Sequence, residues 1–501
     1  MLQNMEKDSR LSDFVDIIKK AGYDQELNQT KLYTVWAPIN GTYDAQNLMQ
    51  QGPTTLLEQF VKTHVTNFSH ILKTGQSETV RALNGKLYPF SELQYGEQTV
   101  DQLNRAASNG VFHTINGYQS FRPNLYEYIT ASDRLSKVRS YVLSYETTVL
   151  DKKNSTLGPI INGKQTYSDS VMITNNALFN RIGANMNVED STYTALLPTD
   201  KAWDDAFNLI RPYYNYPDQL KATNVSGNTD VVDTQNIDAV QLGDSLTRIT
   251  LFHHLFFNNN DYWNRWVTGR EDAQTTDTLM ATTRTRYVNA PELLSYVTEK
   301  EPVSNGLVLI TDTLAYHTTL WAPTITMSGI SISRPRISNA TVETWQDSTI
   351  DYFDEETGYV SSYLYVKYFG ARSVAGAYFY LGTDRSPIMA TTYDITAVIV
   401  PAGYKGDEEN NALPNKLTAE INYLNADGQL VTETLATNVQ NDPTRPDWIH
   451  LGTVTFPYAY RSGFAPYLRI YNNLTAREFS SYDRSLRIAA IIMTPKPQSE
   501  L

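Results

Sequence analysis

Three short sequence blocks occur twice in this chain, in the same order, and this duplication constrains the fold more than any other feature. Each copy has a strand-like block that ends in Pro, a block with a central His, and a block that opens with Asn-Gly. The paired blocks are 33–40 with 193–200, 56–67 with 246–257, and 109–116 with 305–312. Ordered repeats are typical of a duplicated structural unit. We therefore predict two related domains, the second lengthened mainly by a polar surface insert at 212–244.

The first copy shows mixed helix and strand patterns. Leu11, Phe14, Val15 and Ile18 recur at helical spacing, which predicts a helix that ends before Gly22. A strand is predicted at 32–37 and a second helix at 56–65. In the second copy the patterns predict helices at 124–149 and 246–257 and a further apolar-periodic segment at 171–182.

The last third of the chain reads as all-β. Short strand-like runs alternate with turn residues, which favours a sandwich or jelly roll. The candidate strands lie at 330–332, 360–368, 377–381, 395–400, 417–423, 430–435 and 486–492, with a hairpin turn at 425–428. We place the boundary of this region near Ala322.

The two copies resemble fasciclin domains, a family with a T-V-F-A-P-T-N/D-x-A-F block, a helix with a Tyr-His pair and an N-G-x-x-x-x-x-D block. Residues 34–40 read TVWAPIN and residues 194–203 read TALLPTDKAW. The predicted fold class is thus α+β, with two fasciclin-like domains followed by an all-β, jelly-roll-like sandwich. The predicted domains are 1–122, 123–321 and 322–501.

The resemblance implies an extracellular adhesion or matrix-binding module. Paired fasciclin domains with a C-terminal sandwich are similar to surface lipoproteins of Gram-negative bacteria, whose lipid-modified Cys lies in a leader that would precede this sequence. We therefore expect the outer surface of the cell envelope, with a possible lipid anchor on a removed leader. The family's Tyr-His pair is Thr63-His64 in the first copy and Phe252-His253 in the second. Without the Tyr hydroxyls, His64 and His253 are expected to be structural.

Composition excludes several classes of function. The net charge of −13, without a basic stripe, argues against a nucleic-acid partner. The absence of Cys excludes disulfides and thiolate metal sites. Apolar runs are too short to span a membrane, and we expect no cofactor and no metal. The acidic clusters at 354–356 and 407–409 could bind calcium, but neighbouring glycines favour solvated loops.

Two short segments match sequence blocks of a family of esterases. Residues 243–246 (GDSL) and 447–450 (DWIH) match the Ser and His blocks of the GDSL esterases. That family places its Ser after the first strand of an α/β fold, whereas this His block lies in an all-β region. Ser245 is better interpreted as the N-cap of a helix at 246–257. We therefore predict a protein without enzymatic activity.

Aromatic side chains of the last region are the candidate ligand contacts. Flat aromatic rings stack on sugar rings and tolerate exposure, although the same rings can fill a core. The candidates are Trp345, Tyr352, Trp448, Tyr458 and Tyr460. The predicted function is cell-surface adhesion or binding of an extracellular glycan or protein. The alternative is a structural or assembly scaffold that docks a protein partner through the sandwich.

Overall fold

The structure is a computed structural model of the 501-residue chain. It describes residues 1–217, 222–223, 229–230, 238–269, 277–329, 340–346, 352–354, 358–360, 362–368, 376–382, 387–401, 413–460 and 466–496, with the backbone alone at 169, 222–223, 229–230 and between 340 and 368. Two compact units are present: Met1–Ala202 with His254–Thr313, and Trp203–His253 with Leu314–Leu501. The boundaries predicted from the sequence repeats stay predictions.

The first unit contains helices and strands in both repeats. Its helices are Leu2–Glu6, Ser9–Leu11, Ser12–Lys20, Asp24–Leu27, Ala45–Leu48, Pro53–Thr55, Leu56–Phe60, Val61–Thr63, Leu125–Ala131, Asp133–Leu135, Ser136–Leu143, Leu178–Ile182, Arg265–Thr268 and Ala290–Ser295. Its strands are Tyr33–Pro38, Val65–Asn67, Ser77–Arg81, Leu87–Ser91, Gln94–Tyr95, Gln98–Ala107, Gly110–Asn116, Glu146–Leu150, Thr156–Ile161, Lys164–Asp169, Met172–Asn176, Tyr193–Pro198, Phe256–Asn258, Leu279–Met280, Arg286–Tyr287, Val297–Val303 and Gly306–Thr311.

Helix Ser12–Lys20 forms as its apolar spacing predicts. Phe14, Val15, Ile17 and Ile18 are buried, because residues three and four apart share one face of a helix. Gly22 follows with φ +73°, a conformation that only glycine adopts without cost. The predicted helix and its end are confirmed.

The first repeat is built on a seven-stranded sheet. The Tyr33–Pro38 strand lies between Val65–Asn67, which is antiparallel to it, and Gly110–Asn116, which is parallel. Beyond Gly110–Asn116 the sheet continues through four more strands, in the order Gln98–Ala107, Gln94–Tyr95, Leu87–Ser91 and Ser77–Arg81.

The second repeat reproduces the centre of that sheet. Tyr193–Pro198 lies between antiparallel Phe256–Asn258 and parallel Gly306–Thr311. The register is the same in both copies: Tyr33 is opposite Gly110, and Tyr193 is opposite Gly306. The matched sequence blocks therefore encode matched strand pairs.

The two Asn-Gly pairs have equivalent contacts. The carbonyls of Asn109 and Asn305 accept from the amides of Tyr33 and Tyr193, both at 3.1 Å. Each Asn side chain donates to two backbone carbonyls, those of Leu27 and Gln29 for Asn109 and those of Met186 and Val188 for Asn305. Only glycine can follow at this point, because a Cβ on Gly110 would lie 1.9 Å from the Tyr33 carbonyl oxygen.

Several predicted helices have other bounds. The helix expected at 124–149 ends at Leu143, and a strand, Glu146–Leu150, follows. The segment 171–182 is a strand and then a short helix. The helix expected at 56–65 is two short turns, Leu56–Phe60 and Val61–Thr63.

The second unit contains a β-sandwich and several helices. Its helices are Asp200–Ile210, which begins at the end of the first unit, Arg211–Tyr214, Ala239–Phe252, Thr318–Leu320 and Ala476–Glu478. Its strands are Ala222–Thr223, Thr229–Asp230, Ile325–Ser328, Ala340–Gln346, Tyr352–Asp354, Gly358–Val360, Ser362–Tyr368, Gly376–Tyr380, Thr392–Ile399, Lys416–Leu424, Leu430–Gln440, Asp447–Thr455, Tyr467–Asn472 and Leu486–Pro495.

Two antiparallel sheets form the sandwich. One is six-stranded, in the order Ala340–Gln346, Ser362–Tyr368, Leu486–Pro495, Thr392–Ile399 and Asp447–Thr455, with Ile325–Ser328 also paired to Leu486–Pro495. The other has the order Gly376–Tyr380, Tyr467–Asn472, Lys416–Leu424 and Leu430–Gln440. Buried side chains of both sheets share one core, among them Ile395, Ile491, Phe379, Ile421 and Leu468.

The turn predicted at 425–428 is confirmed. The Gly428 amide donates to the Asn425 carbonyl at 2.9 Å, and Gly428 has φ +70°. The predicted pattern at 330–332 lies outside the described residues, as does the acidic cluster at 407–409.

Candidate functional site

A row of tyrosines covers the outer face of the four-stranded sheet. Ala377 and Phe379 point into the core of the sandwich. Since successive side chains of a strand point to opposite faces, Tyr378 and Tyr380 lie on the outer face. Both rings are half-buried.

The adjacent strand, Tyr467–Asn472, has the same alternation. Leu468 and Ile470 are completely buried in the core. Tyr467, Arg469 and Tyr471 therefore lie on the outer face, and the register places Tyr378 opposite Arg469. The third strand contributes Glu420 and Asn422 to the same face, because Ala419 and Ile421 face inward. We call these seven residues, Tyr378, Tyr380, Glu420, Asn422, Tyr467, Arg469 and Tyr471, the tyrosine face.

The rings of the tyrosine face contact one another at their edges. The centroids of Tyr378 and Tyr467 are 5.9 Å apart, and those of Tyr380 and Tyr467 are 6.4 Å apart. The Arg469 guanidinium lies 4.2 Å from the Tyr471 ring centroid and 5.7 Å from that of Tyr378. These contacts hold the rings in fixed orientations.

A hydrogen-bond network joins the polar members of the face. Glu420 accepts from Arg469 Nη1 at 3.2 Å and from the Tyr471 hydroxyl at 3.0 Å. The Asn422 amide donates to the Tyr467 hydroxyl at 2.6 Å. The carboxylate thus balances the guanidinium, and the group as a whole carries no net charge.

Burial favours the protonated form of two hydroxyls of this face. Desolvation raises the pKa of Tyr467 and of Tyr471, and the hydrogen bond to Glu420 raises that of Tyr471 further. The face therefore offers neutral hydroxyl donors and acceptors beside partly exposed ring surfaces. This chemistry suits a flat, uncharged, hydroxyl-rich ligand, since apolar ring faces and a few fixed polar groups are what such sites use.

The aromatic residues predicted as ligand contacts lie elsewhere. Tyr460 is 3% exposed, its hydroxyl accepts from the Leu424 amide at 2.8 Å, and its ring packs on Phe456. Because it is a core ring, its prediction as a ligand contact is not supported. Tyr458 packs partly on the same core and donates to the Ala426 carbonyl at 3.0 Å.

Trp448 belongs to the other sheet. It is half-buried and packs with Val398, Val400 and Ile492, which lie on the face of the six-stranded sheet opposite the core. The side chains of Trp345 and Tyr352 lie outside the described residues; their backbones lie in the strands Ala340–Gln346 and Tyr352–Asp354. The described members of the predicted set are therefore not gathered in one site.

Sequence reasoning missed the tyrosine face. The sequence pattern that indicates it is the alternation of polar and apolar residues at 467–471. Tyr467, Arg469 and Tyr471 alternate with Leu468 and Ile470, which is typical of a half-buried strand. No strand was predicted there. The strand at 377–381 was predicted, but its two outward tyrosines were not connected to another strand.

Both histidines of the family motif are buried. His64 Nδ1 donates to the Phe60 carbonyl at 2.7 Å, and Nε2 accepts from the Gln119 amide at 2.9 Å. Burial lowers the pKa of His64 to about 4, so the ring is neutral. His253 is 5% exposed and follows the helix Ala239–Phe252, where its amide donates to the Ile249 carbonyl. These surroundings fit the structural role expected of the pair.

The esterase-like motif lies in an unsuitable setting. Ser245 is an exposed residue inside the helix Ala239–Phe252, so its prediction as an N-cap is wrong. The N-cap is Asp238, which accepts from the Gln241 amide at 2.9 Å. The helix expected at 246–257 therefore begins seven residues earlier and ends five residues earlier, at Ala239 and Phe252. His450 faces Asp394, with Nε2 and Oδ1 3.4 Å apart.

Among the described residues, no group of three or more His, Asp or Glu side chains is placed to hold a metal ion. Within the same residues, no helix is both long and apolar enough to cross a membrane.

Comparisons with known proteins identify the first repeat. Residues 9–118 match the family model of the Fasciclin domain. No curated protein matches the chain. The N-terminal region thus has the fasciclin fold, and the predicted fold class, α+β with a C-terminal β-sandwich, is confirmed.

Similar solved structures include a FAS1 domain pair from the insect cell adhesion molecule fasciclin I, with 10% identity over 63% of this chain and 99% of that chain at a TM-score of 0.21. Another is the CBM22-1 xylan-binding domain of Paenibacillus barcinonensis Xyn10C, with 11% identity over 34% of this chain and 95% of that one at a TM-score of 0.21. A third is the C-terminal family 22 carbohydrate binding module of Clostridium thermocellum Xyn10B. It has 17% identity over 34% of this chain and 95% of that chain, at a TM-score of 0.18. Likeness at TM-scores this low is not evidence of a shared ligand.

Proposed function

We propose that this protein is a non-enzymatic adhesion protein that binds neutral extracellular glycans through the tyrosine face. The observation that carries the proposal is the neutral cluster of Tyr378, Tyr467, Arg469, Tyr471 and Glu420 on one sheet face. The half-buried rings of Tyr378 and Tyr471 offer apolar surface to the faces of sugar rings, whereas Tyr467, 6% exposed, supports them from below. Its fixed hydroxyl and amide groups can pair with sugar hydroxyls.

The charge balance of the face favours neutral sugars. Glu420 already occupies the guanidinium of Arg469, at 3.2 Å. A uronate or sulfate group would have to compete with Glu420 for that guanidinium, and the Glu420 carboxylate would repel its negative charge. A neutral pyranose meets neither obstacle.

The fasciclin repeats support the adhesion part of the proposal. The family model matches residues 9–118, and the central strands of the second repeat have the same register as those of the first. We infer that residues 123–321 form a second fasciclin copy. A bacterial cell surface as the location, and a lipid anchor on a preceding leader, remain parts of the proposal that come from the family resemblance.

A glycan array probed with the whole chain tests the function. The wild-type chain is expected to bind neutral polysaccharides in preference to uronate-containing ones. Tyr378→Ala should weaken that binding by roughly fivefold, since a stacked ring contributes about 1 kcal/mol. Tyr262→Ala is the control, because Tyr262 is exposed and belongs to the first unit. Binding that is equal in both variants would contradict the assignment of the face.

The alternative function is a scaffold that docks a protein partner through the sandwich. The observation that favours it is Trp448 with its apolar neighbours Val398, Val400 and Ile492, on the face of the six-stranded sheet opposite the core. A stoichiometric protein partner that is lost with Trp448→Ala, together with a blank glycan array, would support the scaffold over the glycan-binding function.

A further inference from the structure

The dipeptide Asn-Gly occurs six times in this chain, and the six pairs differ in how firmly the asparagine is held. The asparagines are Asn40, Asn84, Asn109, Asn116, Asn162 and Asn305. In such a pair the glycine nitrogen can attack the side-chain amide carbon of the asparagine, because glycine has no Cβ to hinder the approach. Whether a pair reacts depends on the freedom of both groups.

Two of the pairs are held in the central sheets of the repeats. The side-chain amides of Asn109 and Asn305, both buried, each donate to two backbone carbonyls. The Asn109 side chain also accepts from the amino group of Met1 at 2.7 Å, and that of Asn305 accepts from the Leu125 amide at 2.9 Å. The reaction at either site would break three hydrogen bonds of a buried side chain.

Two further pairs are held by contacts nearer the surface. The Asn40 side chain donates to the Ser12 hydroxyl at 2.7 Å, and the Asn84 side chain donates to the Thr63 hydroxyl at 2.8 Å. Each of the two asparagine side chains also accepts from a backbone amide, at 3.1 Å in both cases. Both ends of each side-chain amide are therefore fixed.

Asn116 is exposed, but its pair is held at the other reacting group. The Gly117 amide, which contains the attacking nitrogen of this pair, donates to the Thr42 hydroxyl at 2.8 Å. The Asn116 side chain donates to the Thr99 hydroxyl at 3.3 Å. Both groups are thus restrained in the native structure.

Asn162 differs from the other five asparagines. It lies at the tip of a β-hairpin, residues 146–176, between the paired outer strands Thr156–Ile161 and Lys164–Asp169. Asn162 and Gly163 have φ of 51° and 75°, as a two-residue turn of type I′ requires. Both residues are exposed, and the Asn162 side chain has no hydrogen bond with any described residue.

We propose that Asn162 is a site of spontaneous deamidation in the native protein. The Gly163 nitrogen gives up its proton and forms a bond to Cγ of Asn162, which closes a five-membered succinimide ring. The bond between Cγ and Nδ2 breaks, and the leaving nitrogen takes up a proton and departs as ammonia. Water then opens the ring at either carbonyl. One opening leaves aspartate, and the other leaves isoaspartate, in which the main chain runs through the former side chain.

The position of the pair in the fold makes the reaction accessible. A two-stranded hairpin is marginally stable in water, and among the described strands those of this hairpin pair only with one another. Its tip therefore opens without disturbing the sheets of the two repeats.

The two products have different effects on the hairpin. Aspartate keeps the turn, since Asp-Gly also fits type I′. Isoaspartate adds a carbon atom to the main chain, so the pairing of Ile161 with Lys164 across the turn is lost. This proposal is independent of the glycan-binding function.

Peptide mapping of the whole native chain after incubation at mildly alkaline pH tests the site. Asn162 is expected to convert at least about tenfold faster than Asn40 or Asn84, where two hydrogen bonds of about 1 kcal/mol each must break first. Methylation of the same peptide by an isoaspartyl methyltransferase identifies the isoaspartate product. In urea all six pairs should react at similar rates, because the contacts that distinguish them are lost.

Asn162→Gly is the matched variant, because Gly-Gly also forms a type I′ turn but has no side-chain amide. It should remove the isoaspartate signal of the native chain. Asn28→Gly, at an exposed asparagine that is followed by Gln29, should leave the signal unchanged.

A native chain in which Asn162 stays intact overturns the proposal. So does another Asn-Gly pair that reacts as fast as Asn162 in the native chain, or an isoaspartate signal that persists in Asn162→Gly.

Discussion

Lys86 Nζ lies 2.8 Å from Glu189 Oε1, and the two side chains are 1% and 6% exposed. Lys86 also contacts Glu127 at 2.6 Å and belongs to the turn before the Leu87–Ser91 strand of the first repeat. Glu127 and Glu189 belong to the second repeat. This buried ion pair therefore joins the two repeats within the first unit.

Removing one partner of this pair should be costly. Lys86→Met leaves the Glu189 carboxylate buried without its cation, so the free energy of unfolding of the first unit should fall by about 3–5 kcal/mol. Urea denaturation followed by circular dichroism measures it. Lys62→Met, which removes a surface pair with Glu58, should cost less than about 1 kcal/mol.

The double variant Lys86→Met with Glu189→Leu should recover most of that loss, because it removes both charges together. Equal losses in the single and double variants would show that packing, and not the charge pair, holds this junction.

The two repeats should respond alike to substitution of their Asn-Gly glycines. A Cβ at Gly110 or Gly306 would lie 1.9 Å or 1.8 Å from the opposite carbonyl oxygen. Gly110→Ala and Gly306→Ala should each lower the free energy of unfolding by about 3 kcal/mol or more, since a backbone atom of a central strand must move. Gly75→Ala is the control, because Gly75 has φ +79° but nothing within 4 Å of the added carbon. Similar decreases in melting temperature for all three variants would contradict the close approach of each glycine to the opposite strand.

Buried histidines should make the first unit sensitive to acid. Burial lowers the pKa of His64, His113 and His254 to about 4. In the unfolded chain these rings take up a proton near pH 6.5. Their neutral form therefore contributes full stability above about pH 6.5, and this is lost as the pH falls toward 4, by up to about 3 kcal/mol per ring.

Urea denaturation at several pH values measures this slope. His64→Gln should flatten it, since an amide can accept the Gln119 hydrogen bond without titrating. His317→Gln, at an exposed residue of the second unit, should not change it. A His64→Gln variant with the wild-type slope would contradict the assignment.

An exposed residue of the first repeat has an unfavourable backbone conformation. Phe68 has φ +67° and is 73% exposed. Asn tolerates a positive φ better than Phe does. Phe68→Asn should therefore raise the free energy of unfolding by about 1 kcal/mol, and the melting temperature with it. Leu93→Asn is the control, since Leu93 is 71% exposed and has no positive φ. A gain of the same size at Leu93 would trace the effect to polarity instead of backbone strain.

The neutrality of the tyrosine face can be altered at one atom. Glu420→Gln should leave the shape intact but free the Arg469 guanidinium. Binding should then shift from neutral toward uronate-containing glycans, as the array can show. An unchanged preference would mean that Arg469 does not meet the ligand.

The strands of the repeats could be predicted because their blocks carry local signals. The run 33–38 is apolar and ends in Pro, and the glycine of Asn-Gly at 109–110 meets a backbone requirement that a residue with a Cβ does not. The β-hairpin of residues 146–176 was missed because Leu143 continues the helical spacing, although Thr147, Thr148 and Val149 favour a strand. The tyrosine face was missed because it depends on register between strands that are far apart in the sequence. A single strand shows which residues face outward but not which neighbour lies beside them.

Calorimetric titration of the whole chain with the neutral polysaccharide that binds best on the array tests the central claim most directly. The account predicts that Tyr378→Ala combined with Tyr471→Ala abolishes measurable binding while Tyr262→Ala retains the wild-type affinity. Retention of wild-type affinity by the double variant would place the ligand site elsewhere and contradict the account.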